Sequence, residues 1–303
     1  MALLMKSGLA ILLLTITALA HAQPPETSPP SFAVREKKPA ASETDREELS
    51  DLQNLDSFTS VYQPYVKNIS YYQPMYFLVG IDPEESKFQF SFKYRFFDPD
   101  NSLARNHPWM KGIHFAYTQT SFWDLASASK PFEDTSYKPE LFYLTDNIPT
   151  GIDWLKGCFI QGGVQHESNG RGGEDSRSTN FIYLEPSFVF MNKKELIGLK
   201  ISPRIWLYTA NDDETNPDIA DYRGYFDLRL TFGKADHLVF DTHFRWAESD
   251  ASATVGATYP LHRLFENSIE LYLQAEYVNA LAESLLHYDD RNEAVRIGFA
   301  IVR

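Results

Sequence analysis

Residues 87–97 read Lys-Phe-Gln-Phe-Ser-Phe-Lys-Tyr-Arg-Phe-Phe. Phe88, Phe90, Phe92, Tyr94 and Phe96 fall on one face, and Lys87, Gln89, Ser91, Lys93 and Arg95 on the other. Strict period two at this length belongs to a strand with one apolar face, not to a helix. The pattern recurs over 226–232, where Phe226, Leu228, Leu230 and Phe232 oppose Asp227, Arg229 and Thr231. It recurs again over 268–277, where Ile269, Leu271, Leu273, Ala275 and Tyr277 oppose Glu270, Tyr272, Gln274 and Glu276. Segments 237–246 and 293–301 fit the same template. About twelve such segments can be read, near 74–82, 87–97, 111–123, 136–146, 156–168, 179–191, 196–209, 222–232, 236–246, 251–260, 266–278 and 293–302.

Ten residues of tilted strand cross a bilayer. The apolar faces are rich in Phe, Tyr and Trp, and the opposite faces carry charges at mid-strand. That combination suits a lipid-facing exterior and a polar interior. The chain is therefore expected to be all-β, a twelve-stranded antiparallel transmembrane β-barrel over 72–303. A soluble sandwich or lipocalin-like barrel also alternates, but its apolar face points inward and its strands are shorter. Short turns (82–86, 233–236) are expected at one end and long loops (98–107, 211–221, 247–250) at the other. An even strand count puts both chain ends on the periplasmic side.

The N-terminus fits a translocated protein. Lys6 precedes an apolar run, Leu9 to Leu19, too short to span a bilayer, and Ala20-His21-Ala22 offers a cleavage pattern. Residues 1–22 are expected to be a signal peptide. Residues 23–71, Pro-rich and polar, are expected to be a mostly disordered periplasmic leader. Cys158 is the single cysteine of the chain, so no internal disulfide can form. The formal charge of −13 argues against a nucleic-acid partner.

The chemistry lies in residues 158–180. In a strand, His166 and Ser168 share a face, the arrangement of a base and its nucleophile. They are in register with Cys158, Ile160 and Val164, the apolar and hence outward face. Asn180 is in register with Ile182 and Leu184, also outward, and a hairpin through 169–178 brings it beside His166. A neutral Asn can accept from the imidazole N–H and set its tautomer, as the acid of a Ser-His-Asp triad does, at less cost near hydrocarbon than a carboxylate. A hydrolytic set on the outside of a barrel would have the lipid as its substrate.

The run His166-Glu167-Ser168-Asn169-Gly170-Arg171, followed by Ser176-Arg177-Ser178 and Asn180, resembles the signature of the outer-membrane phospholipase A family. Phe122-Trp123, Pro139-Glu140-Leu141-Phe142, Asn216-Pro217-Asp218-Ile219 and Gly224-Tyr225 extend the resemblance over roughly 75–300. It implies hydrolysis of sn-1 and sn-2 acyl esters of phospholipids and lysophospholipids in the outer membrane. Ser168 would be the nucleophile, His166 the base and Asn180 the orienting residue. It also implies calcium and a homodimer, with metal positions at Arg171 (carbonyl), Ser176 and Ser129 of a second subunit. A second calcium position matches Asp213, with Asp212 or Glu214 as alternatives. Family barrels usually end on an aromatic residue, and this chain departs from that with Ile301-Val302-Arg303. A non-catalytic porin or adhesin-like barrel is the alternative.

Overall fold

The computed structural model describes residues 66–192, 196–211, 214–265 and 269–303. The segment expected to be a signal peptide, most of the expected leader and Asp213 lie outside the described residues. Thirteen strand segments form one antiparallel sheet: β1 (Ile69–Tyr71), β2 (Met75–Gly80), β3 (Ser86–Arg95), β4 (Ile113–Trp123), β5 (Phe132–Leu144), β6 (Leu155–Ser168), β7 (Ser178–Asn192), β8 (Ile197–Tyr208), β9 (Phe226–Lys234), β10 (Val239–Trp246), β11 (Ala251–Pro260), β12 (Tyr272–Leu281) and β13 (Arg291–Val302). From β2 to β13 each strand pairs with the next, and β13 closes the sheet onto β2. β1 and β2 lie along the same edge of β3, where Tyr71 faces Phe92 and Tyr76 faces Gln89. They are one strand position broken at residues 72–74, so the closed barrel has twelve. β1 falls within the stretch expected to be leader.

The faces follow the sequence pattern. Ile160, Val164, Ile182, Leu184, Ile205 and Leu207 are exposed on the outside, whereas Gln161, Glu167, Thr179 and Arg204 are buried within. The barrel therefore inverts a soluble core, with polar groups inside and apolar ones toward lipid. Two expectations need correction. Long and short loops do not sort by barrel end: the turn at 81–85 shares an end with the long loop 209–225, while 96–112 shares the other with the short 235–238. The segment read as strand from 222 instead begins with a short helix, α2 (Ile219–Arg223), before β9; α1 (Ser102–Asn106) lies between β3 and β4. Gly224 ends α2 at φ 71° against Trp246, where a Cβ would collide with the Trp246 carbonyl, so the strand cannot start earlier.

Charged networks fill the lumen. Arg296 is fully buried and bonds to Glu276 and Glu283 at 2.8 and 2.7 Å, and Lys87 reaches the same two carboxylates at 2.7 and 2.9 Å. Arg204 lies 3.7 Å above the Tyr183 ring and donates to Gln165 at 2.9 Å. The break at 72–74 turns Tyr72 inward, stacked on Phe142 and accepting from Gln161. A cavity of about 810 Å³ remains between these groups. At the end carrying the 169–177 loop, Leu285 is fully buried against Ile219, Ala282 and Tyr288, and Asp134 accepts the backbone N–H groups of Leu285 and Leu286. A lumen crossed by ion networks and capped at one end argues against a wide channel.

Removing one partner from a buried ion cluster strands the others, at a cost of about 3–5 kcal/mol. Arg296→Met is expected to lower barrel stability by that order, read as a lower denaturant midpoint for unfolding in lipid vesicles. An unchanged midpoint would mean that the network is not structural.

Candidate active site

β6 and β7 pair over a long register that sets His166 directly opposite Asn180 and Ser168 opposite Ser178. His166, Ser168 and Asn180 all lie on the outward face and are half-buried. His166 Nδ1 is 2.8 Å from Asn180 Oδ1. An amide oxygen only accepts, so Nδ1 carries the proton and Nε2 is left with its lone pair. The amide is held in this orientation because its Nδ2 donates to the Ala210 carbonyl at 2.8 Å.

Ser168 is two residues from His166 on the same face, but no hydrogen bond joins its hydroxyl to the ring among the described residues. Such contacts often tighten only once substrate is bound. Between the two residues, Glu167 points the other way, into the lumen. It is buried there in a bidentate pair with Arg223 at 2.7 and 3.4 Å, with Lys138 at 3.5 Å. The strand thus carries a neutral set outward and a charged anchor inward.

The 169–177 loop is organised by Asn169. Its buried Oδ1 accepts the N–H groups of Arg171 and Arg177 at 3.2 and 3.1 Å, and its Nδ2 donates to the Asp175 carbonyl at 2.8 Å. Gly170 sits at φ 69° with its α-carbon against the Tyr137 ring, where a Cβ would come within 2.9 Å. Only glycine meets both demands without strain. The Arg171 guanidinium turns away to the Glu133 carbonyl, with Asp134 and Asp175 nearby. The Arg171 carbonyl and the Ser176 hydroxyl take part in no hydrogen bond among the described residues.

Neutral oxygens with no internal partner are the donors a hard cation takes, so Arg171 and Ser176 fit calcium. Ser129 is exposed in the β4–β5 loop at the same barrel end, and no hydrogen bond joins it to Arg171 or Ser176 among the described residues. No cluster of three or more His, Cys, Asp or Glu suited to a metal occurs among the described residues.

Sequence reasoning missed the β8–β9 loop as a support for this site. Asn211 Oδ1 accepts from the Asn180 N–H at 2.9 Å and the Thr179 hydroxyl at 3.1 Å, and the buried Asn216 accepts from the Ser178 N–H at 3.0 Å. The run Asn216-Pro217-Asp218 was visible as a motif, but nothing in it indicates which strand it touches.

A family model described as Phospholipase A1 matches residues 48–301. Phospholipase A1 of Escherichia coli strain K12 is 31% identical over 188 residues, 60% of each chain. Phospholipase A1 of Proteus vulgaris is 30% identical over 224 residues, 71% of this chain and 68% of that one. The chain spans 53% of the length of a Neisseria meningitidis relative and 60% of the Escherichia coli protein. Among solved structures, the Salmonella typhi outer membrane phospholipase dimer with bound calcium aligns with a TM-score of 0.64 at 22% identity, covering 78% of this chain and 92% of that one. Outer membrane phospholipase A from Escherichia coli aligns with a TM-score of 0.63 at 21% identity, covering 78% and 91%. At such identities the likeness to the solved structures is one of fold.

Asn169→Ala removes an acceptor shared by two backbone N–H groups and should loosen the loop without opening the barrel. The expected outcome is faster proteolysis within 170–177 at an unchanged unfolding midpoint. Equal protease resistance in the variant would show that the loop holds itself.

Proposed function

The chain belongs to the phospholipase A1 family and is a bacterial outer-membrane β-barrel, and from that premise we propose that it hydrolyses acyl esters of membrane phospholipids and lysophospholipids, at sn-1 and sn-2, through Ser168, His166 and Asn180. The observation that carries this reading is the 2.8 Å contact between His166 Nδ1 and Asn180 Oδ1 on the lipid-facing side of β6 and β7.

In the proposed reaction Ser168 Oγ bonds to the ester carbonyl carbon while its proton moves to His166 Nε2. Asn180 holds the ring so that Nε2, not Nδ1, is the base. Collapse breaks the carbon–oxygen bond to the glycerol, and His166 gives its proton to that oxygen. A water molecule then gives a proton to His166 and attacks the acyl-serine ester. The fatty acid leaves, and Ser168 regains its proton. Asn180 cannot neutralise the imidazolium as a carboxylate would, but it spares the lipid-facing surface a buried negative charge.

Calcium would be held by the Arg171 carbonyl and Ser176, with Ser129 supplied by a second copy of the chain. When bound, it supplies positive charge for the oxyanion that develops on the ester carbonyl. This makes the active form a calcium-loaded homodimer. Asp213, the proposed second position, lies outside the described residues. The Salmonella typhi dimer with bound calcium supports the reading by likeness of fold.

Ester release from phospholipid in detergent micelles, assayed with calcium, tests the proposal. Ser168→Ala is expected to lose activity by at least about 10³-fold, and Asn180→Ala by less, on the order of 10- to 100-fold, because only the tautomer is freed. A chelator should abolish turnover reversibly. Full activity in Ser168→Ala would exclude this assignment.

A further inference from the structure

Besides its pairing with β6, the end of β7 that bears Asn180 is held from its other side. Its contacts run to residues 209–211, just beyond β8. The Thr209 N–H donates to the Asn180 carbonyl at 2.9 Å. Asn211 Oδ1 receives both the Asn180 N–H and the Thr179 hydroxyl, and the Ala210 carbonyl receives Asn180 Nδ2. Ala210 stands at φ 47°, a left-handed conformation that is strained for a non-glycine residue. The contacts around it keep it there.

An amide can offer a neighbouring ring either its oxygen or its nitrogen. Shape does not distinguish them, and only hydrogen-bond partners do. The Ala210 carbonyl can only accept, so it claims the nitrogen end and leaves the oxygen for His166. The Asn211 side chain ties the turn bearing that carbonyl to β7. Farther along the same loop, Asn216 holds the Ser178 N–H, and the Tyr288 hydroxyl bonds to Asp218 at 2.5 Å.

We propose that Asn211 is a positioning residue of the hydrolytic site. Its side-chain oxygen seats the 210–211 turn on β7 and thereby determines which end of the Asn180 amide meets His166 Nδ1. This rests on the hydrolase reading for its kinetic consequence, but not for its structural one. A hydrolytic set built from β6 and β7 is in this way tuned by a third strand connection.

Three variants read by two methods test it. Asn211→Ala is expected to lower kcat by about 10- to 100-fold with KM within about two-fold, since the base is misoriented while the lipid surface is unchanged. Asn211→Asp keeps an oxygen at the same place and should stay within about five-fold of wild type. The ¹⁵N shifts of His166 should report one Nδ1-protonated tautomer in wild type and in Asn211→Asp, and a mixture in Asn211→Ala. Should Asn211→Ala not insert, Asn211→Ser, too short to reach both donors, is read in the same way. Equal loss in the Ala and Asp variants, or one unchanged tautomer in the Ala variant, would overturn the proposal. A wild type without hydrolysis but with the tautomer shift would instead count against the hydrolase reading alone.

Discussion

Hydrocarbon offers no hydrogen bonds, so a strand that faces it must pair every backbone N–H and C=O with another strand. The rest of the structure depends on this constraint. The sheet has to close, and it does so where β13 meets β2. Closure gives the chain two surfaces of opposite chemistry, and period two assigns every strand residue to one of them. A hydrophilic side chain on the outer surface is then costly. His166, Ser168 and Asn180 stand there near the ends of β6 and β7, and all three can be neutral.

The inner surface carries the charges that the outer one cannot. Glu167 lies between His166 and Ser168 and is paired with Arg223 and Lys138 in the lumen. The same strand residues that expose the proposed chemistry to lipid are thus pinned from behind by an ion network. Arg296, Lys87, Glu276 and Glu283 do the same for β3, β12 and β13. In a low-dielectric barrel these pairs hold strands to one register, because a slip would separate buried charges and turn apolar faces inward. The register in turn sets His166 opposite Asn180.

Much of this was legible in the sequence because period two is a local signal. The faces of β3 and β9 could be read residue by residue, as could the outward register of His166 and Asn180. Other features were not legible because they are contacts between residues far apart in the chain, made by loops without periodicity. At the break over 72–74 Tyr72 enters the lumen to meet Phe142 and Gln161, and no local pattern announces it. The capping of the barrel by Leu285 depends on Asp134, some 150 residues earlier. Asn211 and Ala210 act on Asn180 through side-chain and carbonyl contacts that only the assembled sheet brings together. The metal positions implied by the family resemblance stand apart in this respect: Arg171 and Ser176 share the loop between β6 and β7, whereas Ser129 lies in the loop between β4 and β5.

The central claim is that the proposed hydrolytic residues face lipid. Spin labels on single cysteines at Val164, Gln165 and Ser168, in a Cys158→Ser background reconstituted in vesicles, test it most directly. Collisional relaxation by oxygen, which concentrates in lipid, and by a water-soluble nickel chelate separates the two environments. The account predicts oxygen dominance at 164, a membrane-edge balance still favouring oxygen at 168, and the reverse at 165. Nickel dominance at 164 and 168 with oxygen dominance at 165 would place the site inside the barrel and contradict the account.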